Sequence, residues 1–356
     1  MNMLRHIAPW ASNFMVTGVR RLMRDRHLMG YIGWTGRANL GDEAMLEAVR
    51  RLFPNREVDV FSGARREAML ANFSLSGPRV FERVYLGGGT LINHGYIDVV
   101  RRALDQGLSV STLGTGVGSS GFGSMPKAID QDWATVLSRF DRIGVRGPRS
   151  AAKLRAIGIE VEVIGDLALA LTPDEPIRGR SKDTVLLNAA QPSEPGIDPF
   201  PTAAAMNALA KAVARLAREG CCIVPVAFCA EDHAPTRAVM ERAGLRVGRI
   251  AQPKTADEFF ALSARACMSL GVRLHCAVLS CCAGLAPLAI AYRGKGYDFA
   301  ESVARPEMMV DPEDLRPEVL AQRAVALLDS ADEVGRELHN KALHWRRTLE
   351  DYVNDA

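Results

Sequence analysis

Apolar residues recur along this chain in two alternating patterns. Short continuous runs bounded by glycine or charge, such as Leu28 to Gly33, Glu57 to Phe61 and Arg83 to Leu86, predict buried strands. Stretches with apolar positions three and four apart predict helices, as in Asp42 to Phe53, where Ala44, Met45, Ala48, Val49 and Leu52 form one face. Asp42 is placed as the N-cap of that helix, and Pro54 as its stop signal. The alternation continues with strands at 108–113, 142–146 and 160–165. A helix between the last two opens at Pro148 and closes at Gly158. It pauses at 171–182, a linker with Pro173 and Pro176, and restarts with strands at 184–188, 221–228, 265–270 and 287–292. Helices at 202–218, 235–243, 256–265 and 274–285 lie between them, and Pro317 to Leu328 and Val334 to Tyr352 predict two closing helices.

Strands alternating with helices argue for parallel, doubly wound sheets, so the chain is read as α/β, with two such domains facing a cleft. Residues 28–172 form the first domain, 183–312 the second, and 313–356 the closing helices. Residues 1–27 stand apart. Leu4, Ile7, Ala11, Val19 and Leu22 recur at helical spacing beside Arg5, Arg20, Arg21, Arg24 and Arg26. Such a segment can lie on a membrane surface, pack on the protein body or fray, and the last two are favoured.

Composition narrows the class. With 48% hydrophobic and 24% charged residues the sequence is that of a globular protein, and 356 residues suffice for two cores. A net charge of +3 without basic runs interleaved with aromatics argues against nucleic acid as a partner. The seven cysteines all lie in the second half, mostly inside apolar runs, which predicts reduced, buried thiols and a cytoplasmic location. No run of about 18 apolar residues predicts a transmembrane helix, and no signal peptide is evident.

Candidate chemistry gathers at the predicted strand ends. Gly87, Gly88 and Gly89 follow one strand, and Gly114, Gly116 and Gly118 another; such loops let backbone approach a ligand and expose N–H groups. Neither set is a dinucleotide fingerprint or a P-loop. Arg146, Arg149, Arg273, Arg293 and Lys295 fall at strand ends or in the loops after them, where several can converge on an anion; arginine suits phosphate or carboxylate through its planar fork. Asp166 ends a strand and can cap a helix or hold a substrate hydroxyl. The turn from Gly271 to His275 places a glycine, an arginine and a histidine where a strand meets a helix N-terminus. Cys276 beside His275 is a weak nucleophile candidate, and Glu231, Asp232 and His233 a weak metal candidate with no second ligand cluster, so no metal is expected. Serine-hydrolase elbows and zincin helices are missing from the sequence.

In order along residues 28–300, several stretches together resemble the polysaccharide pyruvyl transferase family: Gly33 to Ala44 with Asn39, Gly41 and Asp42; Gly87-Gly88-Gly89; Gly114 to Gly118; Val145-Arg146 with Arg149, Ser150, Leu154 and Gly158; Gly165-Asp166; Gly271 to His275; Gly284 with Pro287; and Tyr292 with Lys295. The resemblance implies two Rossmann-like domains in the glycosyltransferase-B arrangement. It also implies transfer of pyruvate from phosphoenolpyruvate onto two hydroxyls of a sugar as a cyclic ketal, in cell-surface polysaccharide synthesis. Phosphoenolpyruvate is then the donor substrate, with no separate cofactor, and the acceptor is a saccharide, free, nucleotide-linked or lipid-linked. A lipid-linked acceptor would suit contact of residues 1–27 with the inner face of the membrane. By the same resemblance Arg273 and His275 are the donor-binding and acid/base residues and Arg146 a second anion contact. Asn39, Asp42, Gly87, Gly88, Gly89, Gly116, Arg149, Asp166 and Lys295 border the substrates. Two positions depart from the family: Gly147 stands where many members carry aspartate, and Leu167 replaces a proline after Asp166. The oligomeric state stays open. A nucleotide-sugar glycosyltransferase and a non-catalytic sugar- or nucleotide-binding module are the competing readings.

Overall fold

The computed structural model describes residues 28–61, 81–93, 95–118, 127–177, 183–191, 202–312 and 315–355. The basic segment 1–27 and the loop expected at 119–124 lie outside them. The first sheet contains β1 (Leu28–Ile32), β2 (Glu57–Val60), β3 (Arg83–Leu86), β4 (Gly89–Ile92), β5 (Ser109–Val117), β6 (Arg142–Val145) and β7 (Glu162–Val163). Its spatial order is β2-β1-β3-β5-β6-β7, with β4 paired to β5 off that path, and every pairing is parallel. Helices α1 (Leu40–Leu52), α2 (Ile97–Asp105), α3 (Lys127–Leu137) and α4 (Pro148–Arg155) connect these strands. The second sheet contains β8 (Thr184–Asn188), β9 (Cys222–Pro225), β10 (Met268–Gly271), β11 (Ala286–Ile290) and β12 (Met309–Val310), all parallel, in the order β12-β11-β10-β8-β9. Its helices are α5 (Thr202–Arg218), α6 (His233–Arg242), α7 (Ala256–Ser263), α8 (Leu274–Ala283) and α9 (Gly294–Ser302).

Both sheets reverse strand order beside their first strand, between β1 and β3 and between β8 and β10. At such a switch point the two connecting helices leave on opposite faces, and the crevice between them is where doubly wound folds bind ligands. The strands are covered on both faces, which is why β8 and β11 are buried at every position and β11 reads as an unbroken apolar run. Helix α8 is buried along almost its whole length, as its small and apolar residues all round require. It ends at Gly284 in the left-handed region, φ 83°.

Several expected elements differ. The two closing helices are one, α10 (Pro317–Asn354), 38 residues long. Gly335 inside it is not a break: a Cβ there would lie 2.1 Å from the Gly284 carbonyl oxygen, so glycine lets α10 cross the end of α8. His339 Nδ1 is 2.8 Å from the Cys282 carbonyl oxygen at that crossing. Further along, α10 leaves the second sheet for the first. Trp345 packs against Gly165, Arg346 donates to the Thr172 carbonyl at 2.6 Å, and Tyr352 Oη donates to the Thr112 carbonyl at 3.1 Å. Helix α10 is therefore shared by both sheets. Gly114 and Gly116, expected in a loop, lie within β5, which runs nine residues to Val117 with a register shift between Thr112 and Thr115. The basic glycine loop at 293–296 is the start of α9, with Arg293 as its N-cap residue.

Candidate active site

The two switch points face one another. Helix α1 starts at the first, and its N-cap is Asn39, whose side chain accepts a hydrogen bond from Gly41 N–H at 3.1 Å. This corrects the assignment of Asp42 as cap and frees the Asp42 carboxylate. The Leu40 N–H is taken by the Phe228 carbonyl of the second domain at 2.8 Å. His275, on the first turn of α8, lays its ring on the α1 backbone: a Cβ at Gly41 would lie 2.2 Å from His275 Nδ1. Only glycine permits this approach. On its other side His275 Nε2 lies 3.7 Å from Asp166 Oδ1, with no hydrogen bond among the described residues. Asp166 is fully buried and caps the 3₁₀ turn Leu167–Leu171 by accepting from Ala168 N–H at 3.1 Å.

Electrostatics set the two carboxylates apart. Burial raises the Asp42 carboxyl above its ordinary range, while His275, Lys295 and Arg273, all within reach of it, work in the opposite direction. Burial also acts upward on Asp166, but His275, Arg146 and the Ala168 N–H outweigh it and leave the group lowered. Tyr31, on β1, points its buried hydroxyl toward the same region; burial and the charge of Asp42 push it far up. That hydroxyl has no hydrogen bond among the described residues, nor do Thr90 Oγ1 and Thr115 Oγ1.

Arg273 sits at the end of β10 but is not a free guanidinium. Its Nε and Nη2 bind the fully buried Asp232 at 3.0 and 2.7 Å, and Nη2 also reaches Cys229 Sγ at 3.0 Å. Its backbone N–H donates to Asn188 Oδ1 at 3.1 Å, while Asn188 Nδ2 donates to Asp232 Oδ2 at 3.2 Å. Two chain segments thus fix the arginine, and only Nη1 lacks a hydrogen bond among the described residues. Burial pushes the Cys229 thiol up to about 12, so it accepts here as a thiol. The cluster read as a weak metal candidate is dispersed: Asp232 is spent on Arg273, and His233 Nε2 faces Gln252 at 2.9 Å. Cys276 is buried and pushed up to about 12 by that burial, unsuited to act as a nucleophile with His275.

Several residues expected to contact substrate make contacts within the protein. Arg146 is 1% exposed, between Asp166 (Nη1 to Oδ2, 3.9 Å) and Asp298 (Nε to Oδ2, 3.5 Å), and so balances two carboxylates where an anion contact was expected. Gly116 packs beneath it, where a Cβ would lie 2.1 Å from Nη2. Arg149 binds Glu301 at 2.7 Å and lies 4.7 Å above the Tyr297 ring, an ion pair between α4 and α9. Gly87 and Gly88 are buried where Tyr31 and Met45 would collide with any Cβ, so close packing accounts for them; Gly89, at φ 98°, starts β4. Lys295 stays near the cleft on the first turn of α9, its Nζ 4.8 Å from the Tyr292 ring centre. Asp298, one turn later, was not anticipated from the sequence. It supplies the carboxylate beside Arg146 that position 147 lacks.

Residues 39–294 match the family described as polysaccharide pyruvyl transferase. No curated protein sequence matches the chain significantly. Among solved structures, a putative UDP-N-acetylglucosamine 2-epimerase from Listeria monocytogenes is similar at 13% identity and TM-score 0.56, covering 93% of this chain and 98% of that one. The Neisseria meningitidis UDP-GlcNAc 2-epimerase bound to UDP-GlcNAc is similar at 10% identity and TM-score 0.52, covering 90% and 99%. A glycosyltransferase from Rickettsia africae has TM-score 0.51 at 10% identity, covering 93% and 98%. These likenesses show the fold, two Rossmann-like domains in the glycosyltransferase-B arrangement. No described helix is long and apolar enough to cross a membrane.

Proposed function

Because the chain belongs to the polysaccharide pyruvyl transferase family, we propose that it transfers pyruvate from phosphoenolpyruvate to two hydroxyls of a saccharide, forming a cyclic ketal and releasing phosphate. The observation that supports this most is the seating of His275. The ring comes from the second domain, rests on the N-terminus of α1 in the first, and has a buried carboxylate behind it, while Lys295 and Arg273 act with it on the Asp42 carboxylate.

Ketal formation starts when a proton is delivered to the methylene carbon of the donor, which leaves a cationic carbon bearing the phosphate ester oxygen. One acceptor hydroxyl attacks that carbon and loses its proton. Phosphate then leaves, carrying the ester oxygen and taking up one proton, and the second hydroxyl closes the ring. The two hydroxyl protons thus account for the new methyl group and the protonated phosphate. His275 suits the proton transfers, since imidazole serves as acid and base near neutral pH, and the Asp166 carboxylate stands 3.7 Å behind its Nε2. Arg273 Nη1 and Lys295 suit the donor's carboxylate and phosphate. Asp42, raised and facing these cations, is placed to accept a proton from an acceptor hydroxyl.

The test is phosphate release from phosphoenolpyruvate across a panel of saccharide acceptors, free, nucleotide-linked and lipid-linked. Acceptor-dependent release, with a pyruvate ketal in the product, is expected. Nucleoside diphosphate release from a sugar nucleotide without a phosphoenolpyruvate requirement would replace this reading by glycosyl transfer. The Neisseria meningitidis epimerase of similar fold is described bound to UDP-GlcNAc, so that arm is worth running.

A further inference from the structure

Asp298 belongs to the second domain but makes its bonds in the first. Its Oδ1 accepts from the Arg149 and Ser150 N–H groups at 2.9 and 3.1 Å, and its Oδ2 accepts from Ser150 Oγ at 2.7 Å. These N–H groups are the unpaired donors of the first turn of α4, whose own cap residue, Gly147, has no side chain to offer. Gly147 also makes the visit possible, because a Cβ there would lie 2.4 Å from Asp298 Oδ1. The same carboxylate faces Arg146 at 3.5 Å, Arg146 faces Asp166 at 3.9 Å, and Asp166 faces His275 at 3.7 Å. A row of alternating charge therefore runs from α9 to the imidazole, crossing the domain boundary at both ends.

We propose that Asp298 is a positioning residue for His275, acting through Arg146 and Asp166; this rests on the reaction proposed above. Arg146 is buried with Nε and Nη1 outside any hydrogen bond among the described residues, so its place is set by the balance of two carboxylates. Asp298 and Asp166 carry two negative charges against one positive, which leaves Asp166 a surplus charge to share with a protonated imidazole. Without the Asp298 charge the guanidinium is drawn wholly to Asp166, and that surplus is gone. Lys295 stands one turn before Asp298 on α9, so a donor anion held by Lys295 also steadies the carboxylate that holds Arg146.

The test uses the full chain and two variants. Asp298→Asn keeps an oxygen for the α4 N–H groups and removes the charge; Asp298→Ala removes both. The expected result for Asp298→Asn is a fall in kcat of about 10- to 100-fold, with KM for phosphoenolpyruvate within about twofold. Amide exchange at Arg149 and Ser150 should stay slow in Asp298→Asn and become fast in Asp298→Ala. Wild-type kcat in Asp298→Asn, or a kcat loss confined to Asp298→Ala that tracks amide exchange, would reduce Asp298 to a helix cap and overturn the proposal. Wild-type protein with no acceptor-dependent phosphate release would instead sink the reaction, and this inference with it.

Discussion

Arg146 and Arg273 stand in similar places, each just past a parallel strand with neighbours on both sides and just before a helix, yet they do different things. Arg146 is closed off from solvent and shared between Asp166 and Asp298 at distances beyond a hydrogen bond. Arg273 is clamped two-handed by Asp232 through Nε and Nη2, with Nη1 outside any hydrogen bond among the described residues. The strand end delivers an arginine to the site in both cases. The carboxylates brought by other parts of the chain decide whether it binds a ligand or holds the protein.

That contrast can be broken. Arg146→Met leaves two buried carboxylates without a counter-charge and should cost about 3–5 kcal/mol of stability, read as a drop in the urea midpoint. A near-normal midpoint would mean that Arg146 is not the structural member of the pair. Next in size, His275→Ala should lower kcat by about 100- to 10,000-fold with donor affinity by calorimetry nearly unchanged. Gly41→Ala makes the same point from the opposite domain. Alanine is a better helix former than glycine, so α1 should survive, while a Cβ 2.2 Å from His275 Nδ1 displaces the ring. Loss of kcat without loss of helicity is expected, and retained kcat would unseat the assignment. Arg273→Lys should weaken donor binding about tenfold, because lysine cannot hold Asp232 through two nitrogens and still offer a third. Unchanged affinity would move the donor contact elsewhere.

The smallest effect concerns Asp42 and has a definite sign. An acid raised by folding favours the folded state when protonated and costs stability when ionised. That cost is full above the raised value and vanishes below the unfolded value near ~4. Asp42→Asn should therefore raise Tm at pH 7.5 by about 1–3 °C while the two proteins melt together at about pH 3, below the unfolded value, and kcat should fall. An equal Tm difference at both pH values would show that the gain is not electrostatic.

Much of this was legible in the chain. Periodicity exposed two series of parallel strands, and Gly271 to His275 stood out because glycine, arginine and histidine fell where a strand meets a helix. What stayed hidden is long-range. Nothing local to Asp232 says that it will hold Arg273 from 41 positions away, nor does anything local to Asp298 say that it caps a helix 149 positions earlier. The glycines were legible as signals and misread as to cause. Gly41, Gly87 and Gly116 are small because His275, Tyr31 and Arg146 need the space, a requirement set by packing partners distant in sequence. The stretch Asp329 to Glu333 is polar enough to suggest a break, but it holds no proline or glycine, and α10 runs through it.

The path of α10 has a bearing on how the protein is made. The first sheet is assembled from strands within residues 28–163, which leave the ribosome early. Its Thr112 carbonyl and the face beside Gly144 are closed by Tyr352, near the far end of the chain. The early-synthesised half must wait, incompletely covered, until the rest has been translated. The cover of the first sheet is therefore completed only after every strand of the second has been made.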